Sequence, residues 1–196
     1  GGLVAPIGVG HGKTLIALLA GTVLRAELTV ILAPASTVKQ LHSMREEMAK
    51  HFHLPENVRI YSYASLSKAD NSDLLERLAS RYKDRTMLIV ADEAHRLKRR
   101  EAARTKRIIR FFQAHPEVRF AALSGTFTSR SITEFTHLAE LALRHKSPLP
   151  MDRYHLGHWA ECIDVEGQPG SRHWEVVRPL WEWYTRLPTS PSLGAI

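Results

Sequence analysis

Residues 86–91 read TMLIVA, and two acids, Asp92 and Glu93, follow at once. An unbroken apolar run of this length suits a strand covered on both faces, and such strands belong to parallel sheets with helices on either side. The chain around it keeps to that plan. Short apolar runs at 3–6, 28–32, 58–63 and 118–123 alternate with helix-length stretches at 14–26, 37–51, 72–83, 99–114 and 132–144. The helix at 14–26 is apolar on nearly every face, as a buried helix would be. Ser36 stands where a cap for the next helix is expected. The fold class that follows is α/β, with a mostly parallel sheet and helices on both faces. After Ser147 the character changes. Pro148 and Pro150 interrupt the chain, all four tryptophans (Trp159, Trp174, Trp181, Trp183) follow, and the last ten residues read as a linker. Two regions are therefore expected, a domain over 1–147 and a Trp-rich C-terminal extension over 148–196.

Composition bounds the function. The 196 residues are 44% hydrophobic and 24% charged, ordinary for a soluble globular protein. A net charge of +7 suits a polyanionic partner such as nucleic acid, or simply a basic surface. The one cysteine, Cys162, permits no intrachain disulfide and fits a reducing compartment. The first residues do not resemble a signal peptide, and no run approaches the roughly 18 apolar residues of a membrane span. A cytoplasmic location is expected, with no membrane partner.

Residues 8–14 read GVGHGKT, directly after an apolar run. Glycines between a strand and a helix let backbone N–H groups turn onto a phosphate chain unobstructed. The helix N-terminus beyond adds partial positive charge. Lys13 can then reach the β/γ-phosphates, and Thr14 can give its hydroxyl to Mg²⁺. Gly10, His11, Gly12, Lys13, Thr14 and Leu15 are the expected nucleotide-binding residues. The pattern G-x-x-x-x-G-K-[ST] fits at Gly12, Lys13 and Thr14, but its first glycine position is Ile7. The alternative is a glycine turn that merely joins a strand to a helix.

The acids after residues 86–91 weigh against that alternative. Asp92 at a strand tip suits the Mg²⁺ shell, and Glu93 suits orienting and deprotonating an attacking water. The catalytic set expected is Lys13, Asp92 and Glu93, with ATP and Mg²⁺ as cofactors. A third stretch, LSGTFTSR at 123–130, puts Ser124 and Thr126 at the end of another strand, where they can sense the nucleotide state.

In this order, GHGKT, DEAH and SGT resemble motifs I, II and III of the first RecA-like domain of superfamily-two helicases and translocases. ILAPASTVKQ at 31–40 resembles motif Ia, and YSYASLS at 61–67 is similar to the following segment of Swi/Snf-type double-stranded DNA translocases. The family often has a non-glycine residue where Ile7 stands. The DEAH box occurs in several branches, phage helicases among them, which would make the location the host cytoplasm. The resemblance covers residues 2–145. It implies a RecA-like P-loop ATPase that moves along nucleic acid, DNA more than RNA. It implies that Pro34 and Ser36 lie near the nucleic-acid backbone, and that His95, with Ser124 and Thr126, couples ATP to movement. It also implies a second RecA-like domain carrying arginine fingers, which the 50 or so residues after Arg144 are too few to form; little hydrolysis is expected from the chain alone. Two other readings stand beside this one, a phosphate-loop kinase or nucleotide-binding enzyme with no nucleic-acid role, and an inactive adaptor.

Three further features are open. Residues 96–110 hold eight basic side chains and one acid, Glu101, which reads either as a track for phosphates or as a solvated helix face. His155, His158, Cys162 and His173 supply four possible zinc ligands in a spacing that matches no zinc motif. The tryptophans can stack on bases, or pack the extension onto a core or a second domain.

Overall fold

The computed structural model describes residues 2–8, 10–55, 57–83, 85–126 and 131–164. The apolar runs form five strands: β1 (Leu3–Pro6), β2 (Leu28–Ala33), β3 (Val58–Ser62), β4 (Met87–Asp92) and β5 (Arg119–Ser124). All pair in parallel, in the order β1-β5-β4-β2-β3. Every residue of β2 and β4 is buried, as an unbroken apolar run requires.

Strand periodicity divides those side chains between two cores. Leu28, Val30, Leu32, Ile89, Ala91, Phe120 and Ala122 face one side. Ile31, Ala33, Leu88, Val90, Ala121 and Leu123 face the other. Helices α1 (Lys13–Val23) and α2 (Ala35–Met48) cover the second side through Ala17, Leu18 and Leu41. The first side is covered by α3 (Tyr63–Ser67), α4 (Leu74–Arg81), α5 (Ala103–Ala114) and α6 (Thr136–Leu143). Phe111 is fully buried there, and Phe112 packs edge-on against Phe120 with ring centres 5.1 Å apart.

The order of strands explains this division. The chain runs outward from β1 to β2 to β3 and then returns through β4 to β5. Right-handed crossovers place the outward helices on one face and the returning helices on the other. The connection leaving β1 therefore parts from those leaving β4 and β5. Such a parting of connections at the carboxyl edge of the sheet is where α/β proteins place ligands.

Several expected boundaries change. Pro34, not Ser36, precedes α2; its φ of −57° is already set for a helix start, and its carbonyl accepts from the Thr37 amide and hydroxyl. The basic helix begins at Ala103, because Ala102 is extended and a turn precedes it, closed by the Ala102 amide on the Arg99 carbonyl. Two helices had no expectation: α3, and α7 (Arg153–Ile163), capped by Asp152 and carrying Trp159. Trp174, Trp181 and Trp183 lie outside the described residues.

Helix α1 is not buried all round. Ala17, Leu18 and Gly21 face the sheet, whereas Leu15, Ile16, Leu19 and Val23 line an apolar groove beside β1. Its C-terminus closes as a Schellman motif, with the Ala26 amide on the Gly21 carbonyl and the Arg25 amide on that of Thr22. Arg25 occupies the left-handed position at φ 51°, where glycine meets no Cβ penalty. Arg25→Gly is expected to raise the unfolding free energy by about 0.5–1 kcal/mol. Urea denaturation measures this, and an unchanged or lowered midpoint contradicts it.

Candidate functional site

The glycine loop leaves β1 and enters α1 at the carboxyl edge of the sheet. Gly10 and Gly12 both have φ of +80°, and a Cβ at either would meet nothing within 4 Å. Glycine is needed there for backbone conformation, and the loop surface is open. Gly12 caps α1 without a side chain, so no side-chain cap closes the first-turn amides of Lys13, Thr14 and Leu15. His11 is exposed at the tip. The Leu15 side chain turns toward the apolar groove, so what it can offer a ligand in the loop is its amide.

Lys13 is only 8% exposed, and its Nζ lies 2.7 Å from Glu93 Oε1. This ion pair joins residues 80 positions apart in the sequence. It also joins the loop after β1 to the turn after β4, across the end of β5. The Ile7 amide donates to the Ser124 carbonyl at 3.0 Å, fastening the base of the loop to β5. Gly125 completes the closure. A Cβ there would stand 3.3 Å from the Ile7 carbonyl oxygen, a tight approach, and in ordinary van der Waals contact with Lys13 Nζ at 3.5 Å. Sequence reasoning placed Ser124 and Thr126 but missed Gly125, although its signal was the glycine between them.

Glu93 has φ 52° and ψ 52°, a left-handed conformation that is uncommon for a residue with a side chain. The turn lets its carboxylate face two ways. Oε1 meets Lys13, and Oε2 lies 3.2 Å from His95 Nδ1. His95 Nδ1 is also 3.1 Å from the Ser124 hydroxyl, whose oxygen accepts from the Thr126 amide. Lys13, Glu93, His95, Ser124 and the Thr126 backbone thus form one connected cluster. The Thr126 side chain is exposed.

Asp92 is 6% exposed, and its Oδ1 accepts from the Glu93 amide at 3.1 Å. Burial, and then the neighbouring Glu93 charge, push its carboxyl above the ordinary aspartate range; Lys13 pulls the other way. An under-compensated carboxylate of this kind accommodates a cation. One carboxylate and one hydroxyl, completed by phosphate oxygens and water, is a donor set that suits Mg²⁺. Asp92 and Thr14 fit that set. Burial lowers the His95 pKa, with Glu93 acting in the opposite direction.

Pro34 and Ser36 stand at the carboxyl end of β2, with Ser36 exposed on the first turn of α2. Among the described residues no hydrogen bond or ion pair ties them to the Lys13 cluster. The basic run is largely engaged within the fold. Arg107 donates to the Leu66 and Lys68 carbonyls, Arg104 to that of Arg96, and Arg110 to that of Ser72. Lys106 pairs with Glu101 at 2.7 Å. Arg96, Arg99, Arg100, Lys106 and Arg110 are nevertheless exposed, so the run still presents positive charge to solvent. His155 is occupied by the Asp152 cap at 2.8 Å and Cys162 is buried. Among the described residues no group of three such side chains can hold a metal ion. His173 lies outside them.

No described helix is long and apolar enough to cross a membrane. In comparisons with known proteins, the chain matches no family model and no curated protein.

Proposed function

We propose that the chain is the ATP-binding half of a nucleic-acid-dependent ATPase of the helicase or translocase type, built on a RecA-like P-loop domain. The observation that carries this reading is the convergence of a glycine loop, a nearly buried lysine and an Asp-Glu turn at one end of the sheet, from strands far apart in sequence.

In this reading the loop amides and Lys13 hold the phosphates. Thr14 and Asp92 would hold Mg²⁺, which when bound would neutralise phosphate charge. Glu93, once released from Lys13, would accept a proton from water in this reading. The His95–Ser124 link runs from that carboxylate to the loop after β5, which supports a coupling role for His95, Ser124 and Thr126. A kinase or other nucleotide-binding enzyme gains no particular support from that link. Pro34 and Ser36 remain the proposed contacts to nucleic acid, with double-stranded DNA the proposed substrate. Transition-state charge would need cations from a second RecA-like domain, so turnover by the chain alone is expected to be slow.

Competition binding against a fluorescent ATP analogue tests the reading. Unlabelled ATP and inorganic tripolyphosphate are expected to displace it, and adenosine to displace it poorly, because the recognition described here is of phosphate. Displacement by adenosine but not tripolyphosphate, or no binding of the analogue at millimolar concentration, would sink the proposal.

A further inference from the structure

Residues 58–67 supply none of the expected site residues, yet one of their side chains reaches the site. Tyr63 is the first residue of α3, directly after β3, and β3 lies two strands from β4. Its ring is 4% exposed and packs in the core on the α5 side of the sheet. Its hydroxyl donates to the main-chain carbonyl of Asp92 at 2.7 Å.

That carbonyl has reason to need a partner. The β2–β4 ladder ends at Ala91, paired with Leu32, so Asp92 lies one residue past the pairing with β2. The next residue, Glu93, turns left-handed. The orientation of the Asp92–Glu93 peptide decides where both carboxylates point, and a left-handed glutamate needs its surroundings to hold it.

The phenol is itself well anchored. The Ser62 hydroxyl caps α3 by accepting from the Ser65 amide. At the other end of α3, the Arg107 guanidinium of α5 binds the carbonyls of Leu66 and Lys68. Burial and the nearby carboxylates raise the pKa of the phenol well above its ordinary value, so the donor proton stays in place.

We infer that Tyr63 is a positioning residue for the Asp92–Glu93 pair, acting through the Asp92 carbonyl without touching nucleotide. For its functional consequence the inference rests on the nucleotide reading above. It assigns α3 a task that its sequence does not announce, which is to carry a strut from α5 to the acids.

Tyr63→Phe keeps the ring and removes only the donor. In the full chain, the variant is expected to bind ATP in the presence of Mg²⁺ about tenfold more weakly, as the loss of one buried hydrogen bond to a metal-binding turn implies. ATP binding in EDTA, which depends on the loop and Lys13, is expected to stay within about twofold. A general loss of structure would weaken both alike. Amide hydrogen exchange gives an arm that needs no nucleotide. The amides of Glu93 and Arg96 are expected to exchange at least about tenfold faster in Tyr63→Phe, while those of Ile89 and Val90 within β4 keep their protection and show that the variant is folded. Unchanged exchange at Glu93 and Arg96, or equal losses with and without Mg²⁺, overturns the inference. If the parent chain binds no ATP, the nucleotide reading fails, and exchange alone decides the role of Tyr63.

Discussion

Glu93→Gln is expected to bind ATP with Mg²⁺ about five- to thirtyfold more tightly than the parent chain, and Lys13→Ala to lose measurable binding. The direction follows from the resting geometry. Lys13 Nζ and Glu93 Oε1 are 2.7 Å apart, and the lysine is nearly buried. A phosphate oxygen that takes the ammonium must displace the carboxylate and then tolerate its negative charge nearby. Glutamine keeps the size and one acceptor but gives up the charge. The difference between a charge-assisted and a neutral hydrogen bond is about 1–2 kcal/mol, which sets the size of the gain. The carboxylate that would serve hydrolysis is thus also a competitor for the phosphate-binding lysine. Calorimetric titration of the two variants and the double variant checks this. In a Lys13→Ala background Glu93→Gln should restore no measurable binding, because no ammonium remains to be released. A Glu93→Gln chain that binds ATP no more tightly than the parent would show that the ion pair does not oppose the phosphates.

That pair also marks where sequence reasoning reached its limit. The strands were legible because β2 and β4 are buried on both faces, and an apolar run carries that information within itself. The members of the site were legible as residue types at strand ends. Their pairing was not, since it depends on β5 standing between β1 and β4 and on Glu93 turning left-handed. Helix α3 was hidden for a related reason. Five residues make a poor helix alone, and this one exists through the Ser62 cap and the Arg107 guanidinium, a partner 41 residues away from Leu66. Arginines of the basic run, legible in the sequence only as a charged face, also hydrogen-bond carbonyls of the fold while keeping their charge. Helix α7 had a readable start, Asp152 with His155 three positions on, but two prolines just before it drew attention to interruption. The outer face of α1 shows the opposite failure. Its apolar residues promised burial that the described residues do not supply.

A second large effect is expected from pH, through a histidine that no motif marks. His137 of α6 is 2% exposed, and its Nε2–H donates to the Leu97 carbonyl at 2.8 Å. Leu97 ends the turn that begins just after Glu93. No partner is present for Nδ1 among the described residues, so the ring is held neutral as the Nε2–H tautomer. Burial lowers its pKa below the ordinary histidine value; the Leu97 hydrogen bond opposes this and Arg100 adds to it. For a base with a lowered folded pKa, the unfolded chain takes up the proton first as pH falls. Stability is then fully present above the unfolded pKa of about 6.5 and declines below it, with a slope of up to about 1.4 kcal/mol per pH unit for one proton. The decline continues down to the lowered folded pKa and levels off below it. The His95 pKa is lowered as well and contributes in the same direction. His137→Gln separates the two, since its amide can donate to the Leu97 carbonyl without titrating. Urea midpoints measured from pH 7.5 to 5 should fall steeply for the parent chain and distinctly less for His137→Gln. Parallel curves for the two proteins would assign the acid sensitivity elsewhere and leave the contact between α6 and the turn behind Glu93 indifferent to pH.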